Sequence, residues 1–107
     1  MNKCFCNITG GGITENIVRS IPEKLSANID LSKIKILKVF KWLKKFGVSD
    51  NEMLKTFNCG VGFCLIANSK NIKKISSFFP KQYRPYKIGS IVNNKRKKIN
   101  FYNKLKW

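Results

Sequence analysis

Three consecutive glycines, Gly10-Gly11-Gly12, stand between a short apolar segment and the first helix-forming residues of the chain. Glycine loses more backbone entropy on folding than any other residue, so such a run is unfavourable unless the main chain turns sharply or is approached closely. Backbone N–H groups at a helix N-terminus, together with the helix dipole, attract anions such as phosphate. The run therefore predicts either an anion-binding loop or a tight strand-to-helix turn that binds nothing, and the motif alone favours neither.

A second glycine-marked segment is Asn58-Cys59-Gly60-Val61-Gly62. In a buried strand predicted from Gly60 to Ala67, Gly60 and Gly62 would share one face, which lets a ligand or another backbone come close. The alternative is a β-bulge. Two glycine-marked segments, each near a strand end, favour one shared binding surface.

Strand-like and helix-like patterns alternate along the chain. The sequence predicts strands at Cys4–Ile8, Leu25–Ile29, Gly60–Ala67, Tyr86–Val92 and Lys98–Tyr102, the last two around a turn at Asn93-Asn94. It predicts helices at Glu15–Ile21, Ile36–Phe46 and Ile72–Phe79. A further helix is predicted to start at a capping box formed by Ser49 and Glu52 and to run through Thr56. This alternation predicts an α/β or α+β fold, a mixed sheet with flanking helices.

The segment Ile36–Phe46 has the clearest helical periodicity. It places four large apolar residues near one side and lysines on the other. We predict that the apolar side packs into the core and that Gly47 ends the helix. The four residues are Leu37, Phe40, Trp42 and Leu43.

The 107 residues suffice for one small domain and carry a formal net charge of +17. Such a charge attracts polyanions. However, lysine, isoleucine and asparagine share A/T-rich codons, so genome composition explains much of the excess. The densest run, Lys95-Arg96-Lys97-Lys98, predicts a solvated turn or tail first and an RNA-contacting patch second.

Several kinds of chemistry are excluded or disfavoured by composition. The chain has no histidine, which excludes Ser-His-Asp and Cys-His catalysis within it. Five carboxylates offer little for a magnesium cluster, and the four cysteines lack C-x2-C spacing, so they predict reduced thiols and no metal site. The sequence shows neither a membrane-length apolar run nor a signal peptide, which predicts a cytoplasmic location and no membrane partner.

Three motifs follow one another in a familiar order: ITGGG-x-x-EN-x-x-R-x-x-P, F-x-W-L-x-x-x-G and EM-x-x-TFNCGVGF. They resemble the C-terminal part of phosphoribosylformylglycinamidine cyclo-ligase, or AIR synthetase. The resemblance runs from Asn7 to Val92 and divides the chain into an incomplete domain, 1–92, and a basic C-terminal strand or tail, 93–107. The matching positions are Thr9, Gly10, Gly11, Gly12, Glu15, Asn16, Arg19, Pro22, Phe40, Trp42, Gly47, Glu52, Met53, Phe57, Asn58, Gly60 and Gly62.

This resemblance implies a function. The family uses ATP to convert formylglycinamidine ribonucleotide to aminoimidazole ribonucleotide in purine biosynthesis, in homodimers with a cleft between two α/β domains. By resemblance, Thr9–Gly12 would hold phosphate, and Asn16 and Arg19 would orient the substrate. Asn58, Gly60 and Gly62 would form the cleft wall. No catalytic residue is assigned.

Two departures from the family pattern limit the expectation. Asn7 replaces the histidine that usually precedes the glycine run, and asparagine carries no proton in turnover. The family's N-terminal domain lies outside these 107 residues, so ATP and Mg²⁺ are expected to bind mainly there, on a separate chain or a missing segment. The 107 residues alone are expected to be inactive and to bind nucleic acid only non-specifically.

Two alternative functions stay open from the sequence. One is a small basic nucleic-acid-binding module built from the lysines and from aromatic residues. The other is part of another ATP-binding enzyme of the same superfamily, such as the large-subunit type of formylglycinamidine synthetase. The aromatic candidates for the first alternative are Tyr83, Tyr86, Phe101 and Trp107.

Overall fold

The computed structural model describes residues 3–8, 10–93 and 96–107, with only the backbone described for residues 3–7. These residues form strands β1 (Lys3–Asn7), β2 (Leu25–Asp30), β3 (Phe63–Ala67), β4 (Gly89–Asn93) and β5 (Ile99–Tyr102). They form α-helices α1 (Gly12–Arg19), α2 (Lys38–Lys44), α3 (Asp50–Thr56) and α4 (Ile72–Ser77). The predicted mixed sheet with flanking helices is confirmed.

Strand β2 is the centre of a three-stranded sheet in the order β4-β2-β5. Its alternation places Ala27 and Ile29 on the buried side, at 0% and 5% exposure. Ala27 lies opposite Ile91 in antiparallel β4 and opposite Ile99 in parallel β5. The two predicted final strands are present as β4 and β5, but they do not pair with each other, because β2 lies between them. Of the turn predicted at Asn93-Asn94, Asn94 lies outside the described residues.

Strands β1 and β3 form a separate antiparallel pair, in which Asn7 lies opposite Phe63. The Ile8 N–H extends this pairing by donating to the Gly62 carbonyl at 2.9 Å. The prediction that β3 is a buried strand is wrong. Phe63 is 55% exposed and the other four residues are half-buried, because within the described residues β3 pairs with β1 alone.

The core lies between α1, β2 and α3. Ile13 and Met53 are completely buried, and Ile17 and Leu54 are 3% exposed. Helix α3 begins at the predicted cap, since the Ser49 hydroxyl oxygen accepts from the Glu52 N–H at 3.2 Å. None of the helices formed by the described residues is long and apolar enough to cross a lipid bilayer.

Helix α2 forms where the periodicity predicted it, but its apolar side is not in the core. No α2 residue is buried, and Trp42 is 56% exposed. Phe40 does reach Phe57, with 5.9 Å between ring centroids. The prediction that Leu37 and Trp42 are core residues is wrong, because no described element covers this side of the helix. Helix α4 likewise has no buried residue.

Residues 96–107 join the main body of the structure. Beyond β5, Leu105 is 5% exposed within the core cluster. The Trp107 indole N–H donates to the Asp50 carboxylate at 2.9 Å, and Lys44 reaches the same carboxylate at 2.8 Å. The Trp107 contact holds the last residue of the chain against the first residue of α3.

Candidate functional site

The glycine run forms the turn from β1 into α1. Gly11 is the N-cap residue with φ of +93°, and Gly12 opens the helix with φ of +61°. Both values lie in the left-handed region that favours glycine. Because Gly11 has no side chain, it supplies no cap to the first N–H groups of α1. Thr9, predicted to begin the phosphate-binding segment, lies outside the described residues.

The three glycines differ in what surrounds them. A Cβ on Gly12 would collide with the carbonyl oxygens of Leu54 and Phe57, so Gly12 lets α1 approach α3. A Cβ on Gly11 would collide with the Glu15 carboxylate. A Cβ on Gly10 would meet nothing within 4 Å, and Gly10 is exposed. Packing therefore explains Gly12, whereas the backbone of Gly10 is open to a ligand.

Asn16 fixes the shape of this turn. Its side chain is buried, and its amide N–H groups donate to the carbonyls of Gly12 at 2.7 Å and Gly10 at 3.2 Å. Both carbonyls are thereby turned towards the helix. The structure thus places Asn16 as a clamp on the loop, and its predicted contact with substrate stays a prediction.

Arg19 lies at the other end of α1. With a rise of 1.5 Å per residue, its Cα is about 10 Å from that of Gly12. Its guanidinium donates to the exposed Glu15 carboxylate at 3.4 Å. The structure therefore does not bring Arg19 to the glycine turn directly. It links the two through Glu15, whose carboxylate lies beside Gly11.

The second glycine segment forms a turn before β3. The Asn58 side-chain oxygen accepts from the Gly60 N–H at 2.8 Å, and the Asn58 carbonyl accepts from the Val61 N–H at 2.8 Å. Gly60 has φ of +107°, and a Cβ there would lie 2.9 Å from the Leu37 side chain. The prediction that Gly60 and Gly62 share one face of a strand is wrong, because the strand begins at Phe63.

The two glycine segments lie at the same end of the β1–β3 pair. The hydrogen bond from Ile8 to Gly62 joins the residue before the glycine run to the end of the second turn. The Phe57 carbonyl, one residue before Asn58, lies beside Gly12. The structure therefore brings Gly10–Gly12 and Asn58–Gly62 together and leaves Arg19 one helix length away.

Cys59, within the second turn, is completely buried and its thiol approaches the Met53 carbonyl at 3.8 Å. Burial and, to a smaller extent, the nearby Asp50 carboxylate together raise the pKa of this thiol to about 11. A thiol with such a pKa stays protonated at neutral pH and is a poor nucleophile. Among the described residues, no three Cys, Asp or Glu side chains lie close enough together to hold a metal ion.

Residues 2–101 match the family described as AIR synthase related protein, C-terminal domain. The chain belongs to this family. The AIR synthase resemblance drawn from the glycine and tryptophan motifs is thereby confirmed. The chain is also 43% identical over 96 residues to the bifunctional purine biosynthetic protein purD of Dictyostelium discoideum. The match covers 88% of this chain and 12% of that relative's length.

Within this AIR synthase-type domain, sequence reasoning missed the part played by Glu15. Its spacing of four residues from both Gly11 and Arg19 places all three on one side of α1. That spacing is visible in the sequence, but it does not by itself show that the Glu15 carboxylate lies beside Gly11. Thr14 was also missed, and its hydroxyl donates to the Leu54 carbonyl at 3.4 Å.

Proposed function

We propose that this chain is the C-terminal portion of an ATP-dependent cyclo-ligase that converts formylglycinamidine ribonucleotide to aminoimidazole ribonucleotide in purine biosynthesis. The proposal is supported by the chain's membership of the AIR synthase C-terminal family and by its similarity to a bifunctional purine biosynthetic protein. The observation that carries it is the open turn at Gly10, clamped by Asn16 and lying beside the Asn58–Gly62 turn.

The substrate's phosphate is assigned to Thr9–Gly12, of which Gly10–Gly12 are described in the structure. Backbone N–H donors and the positive end of α1 hold an anion without any titratable group. Asn16 acts by keeping the turn in shape, since its amide already donates to the Gly10 and Gly12 carbonyls. The Asn58–Gly62 turn forms the adjoining wall.

Glu15 is the one feature of the turn that opposes an anion. Its carboxylate lies beside Gly11 and is only partly balanced by Arg19 at 3.4 Å. A bound phosphate therefore requires Glu15 to swing towards Arg19, away from Gly11. Arg19 itself is assigned to a part of the substrate remote from the phosphate, about 10 Å away along the helix.

ATP and Mg²⁺ are assigned to the remainder of the enzyme. The described residues hold no cluster of carboxylates that fits a magnesium ion, and Glu15 is engaged with Arg19. The remainder is supplied by another segment or a separate chain. The complete enzyme is proposed to be a cytoplasmic homodimer.

Reconstitution tests the proposal. We would delete the matching 96-residue segment from the Dictyostelium relative, add this chain, and measure ADP release that depends on formylglycinamidine ribonucleotide. The mixture is expected to turn over, whereas this chain alone is expected to release no ADP. Turnover by the chain alone, or none by the mixture, would count against the assignment.

A variant at Gly10 separates binding from folding. Gly10→Val adds bulk where no atom lies within 4 Å, so the fold should be preserved while the phosphate is blocked. The matched control is Ser69→Val, an exposed position beyond the other end of β3. We expect Gly10→Val to remove at least nine-tenths of the activity of the mixture, and Ser69→Val to leave it unchanged. If Gly10→Val kept wild-type kinetics, the turn would have a purely structural role and would not bind the phosphate.

A further inference from the structure

The outer face of the β4-β2-β5 sheet carries mostly polar side chains, together with the apolar Val92 and with the Asp30 carboxylate, which lies opposite Tyr102. Ala27 and Ile29 point to the core, so Asn28 lies on the opposite face. The register places Asn28 opposite Ser90 on one side and Asn100 on the other. The Asn100 amide donates to the Asn28 side-chain oxygen at 3.3 Å. We call Asn28, Ser90, Asn100 and Tyr102 the amide face.

A depression of about 340 Å³ opens on this face. That volume falls within the range of small-ligand pockets. Carboxamides donate and accept at once, which suits the mixed donor and acceptor edges of nucleic acid bases. The lining residues are Ser26, Asn28, Val92, Asn93 and Asn100.

The basic segment that leads into β5 is fastened to the edge of the depression. The Lys97 carbonyl accepts from the Ser26 hydroxyl at 2.6 Å and from the Asn100 amide at 3.4 Å. Arg96 and Lys97 are exposed there. Two cations at this rim, within a chain of net charge +17, complement a phosphate backbone running along the edge of the face.

An aromatic ring completes the surface. Tyr102 is 48% exposed and lies two residues beyond Asn100 on the same face. The other aromatic residues near the C-terminus are engaged elsewhere. Phe101 packs against the core, and the Trp107 indole donates to Asp50. Tyr102 is therefore the ring on which a base can stack at this site.

We propose that the amide face, with Arg96 and Lys97 at its rim, binds single-stranded RNA in a sequence-tolerant way. A flat three-stranded sheet does not enter the groove of a duplex, whereas splayed bases can lie on it and phosphates can follow its basic edge. This inference is independent of the cyclo-ligase assignment, because it uses a different face of the molecule.

Fluorescence anisotropy with a labelled twelve-residue oligouridylate at physiological salt tests the site. Tyr102→Leu is expected to weaken binding about tenfold through lost stacking, whereas Tyr102→Phe should bind as the wild type does. A thermal melt of each variant checks that it folds. Equal affinity for Tyr102→Leu and the wild type would overturn the proposal.

A charge-matched pair of variants distinguishes the site from the general field. Arg96→Ala/Lys97→Ala and Lys73→Ala/Lys74→Ala each remove two exposed cations, but the second pair lies on α4. We expect the first pair to weaken binding several-fold more than the second and to lower the salt slope by about two. If the two double variants weakened RNA binding equally, the attraction would come from the overall charge of the chain, and the proposed site would be refuted. Displacement of the RNA by phosphatidylserine vesicles through the same residues would make a lipid surface the occupant and would also overturn it.

Discussion

Helices α1 and α2 have similar lengths, yet α1 is buried on one side and α2 is not. Helix α1 buries Ile13 and Ile17 together with the polar Asn16. Helix α2 has no buried residue, and its Trp42 is more than half exposed. Sequence periodicity therefore predicts a helix and which of its sides is apolar. Whether that side is buried depends on which other helices or strands pack against it.

The neighbours of each helix account for the contrast. Helix α1 lies against α3 so closely that Gly12 has no room for a side chain, and it also contacts β2. Helix α2 is held by fewer contacts, among them Phe40 on Phe57 and the ion pair between Lys44 and Asp50. The side of α2 with Val39, Trp42 and Phe46, which we call the α2 stripe, stays exposed.

The largest expected effect is at the contact between α1 and α3. Gly12→Ala should lower the free energy of unfolding by about 4 kcal/mol, because it combines a positive φ with a collision against backbone oxygens. The matched control is Gly47→Ala after α2, where φ is +86° but no atom lies within 4 Å. We expect Gly47→Ala to lower the free energy of unfolding, measured in urea, by about 1 kcal/mol. Equal losses would show that the approach of α1 to α3 is not tight.

Truncation of one apolar side chain in each helix gives the next largest effect. Ile17→Ala should lower the free energy of unfolding by about 3 kcal/mol, since Ile17 is 3% exposed. Trp42→Ala should cost about 1 kcal/mol or less, because Trp42 contacts little besides the Phe46 ring at 4.9 Å. Chemical denaturation of both variants measures the difference. A loss for Trp42→Ala that matches the loss for Ile17→Ala would contradict the contrast between the helices.

The α2 stripe is expected to act on association more than on folding. Exposed apolar stripes of this kind promote self-association, and higher salt screens the repulsion between chains of net charge +17. Sedimentation velocity should show oligomers of the wild type growing with salt, and a monomer for Trp42→Ser/Phe46→Ser. Phe78→Ser on the exposed end of α4 serves as the control. A wild-type chain that stays monomeric at high salt would refute this prediction.

The smallest effect concerns the ion pair that holds α2 to α3. The hydrogen bond from Lys44 to Asp50 lowers the pKa of Asp50 below its usual 3.8, with Trp107 contributing. A lowered pKa in the folded state means stability that is present above pH 3.8 and lost as pH falls towards the folded value. Asp50→Asn should remove that part of the acid dependence at a cost below about 1 kcal/mol, since the pair is partly exposed. Thermal melts between pH 2 and pH 6 compare the two proteins, and identical pH profiles would count against the role of Lys44.

Much of the fold was predictable from local pattern. The glycine turn, the Ser49 cap and the strand that became β2 all depend on residues close together in sequence. The pairing of β4 and β5 with opposite edges of β2 was not predictable in this way. A turn signal such as Asn93-Asn94 indicates a reversal of the chain but not which strand lies between its arms.

The candidate site was predictable in part. The sequence indicated the two glycine segments, and their proximity follows in the structure from the antiparallel pairing of β1 with β3. The Asn16 clamp and the Glu15 carboxylate beside Gly11 depend on side-chain geometry within α1. Residue types alone did not reveal that Asn16 faces the loop backbone.

Amide chemical shifts of the labelled chain test the central claim most directly. Formylglycinamidine ribonucleotide would be titrated into the ¹⁵N-labelled protein and into Gly10→Val. We expect saturable shifts at the backbone amides of Gly10, Gly11 and Gly12, and we expect Gly10→Val to abolish them without lowering the melting temperature. Shifts confined to the basic segment at Arg96–Lys98, or shifts at the glycines that survive Gly10→Val, would contradict it.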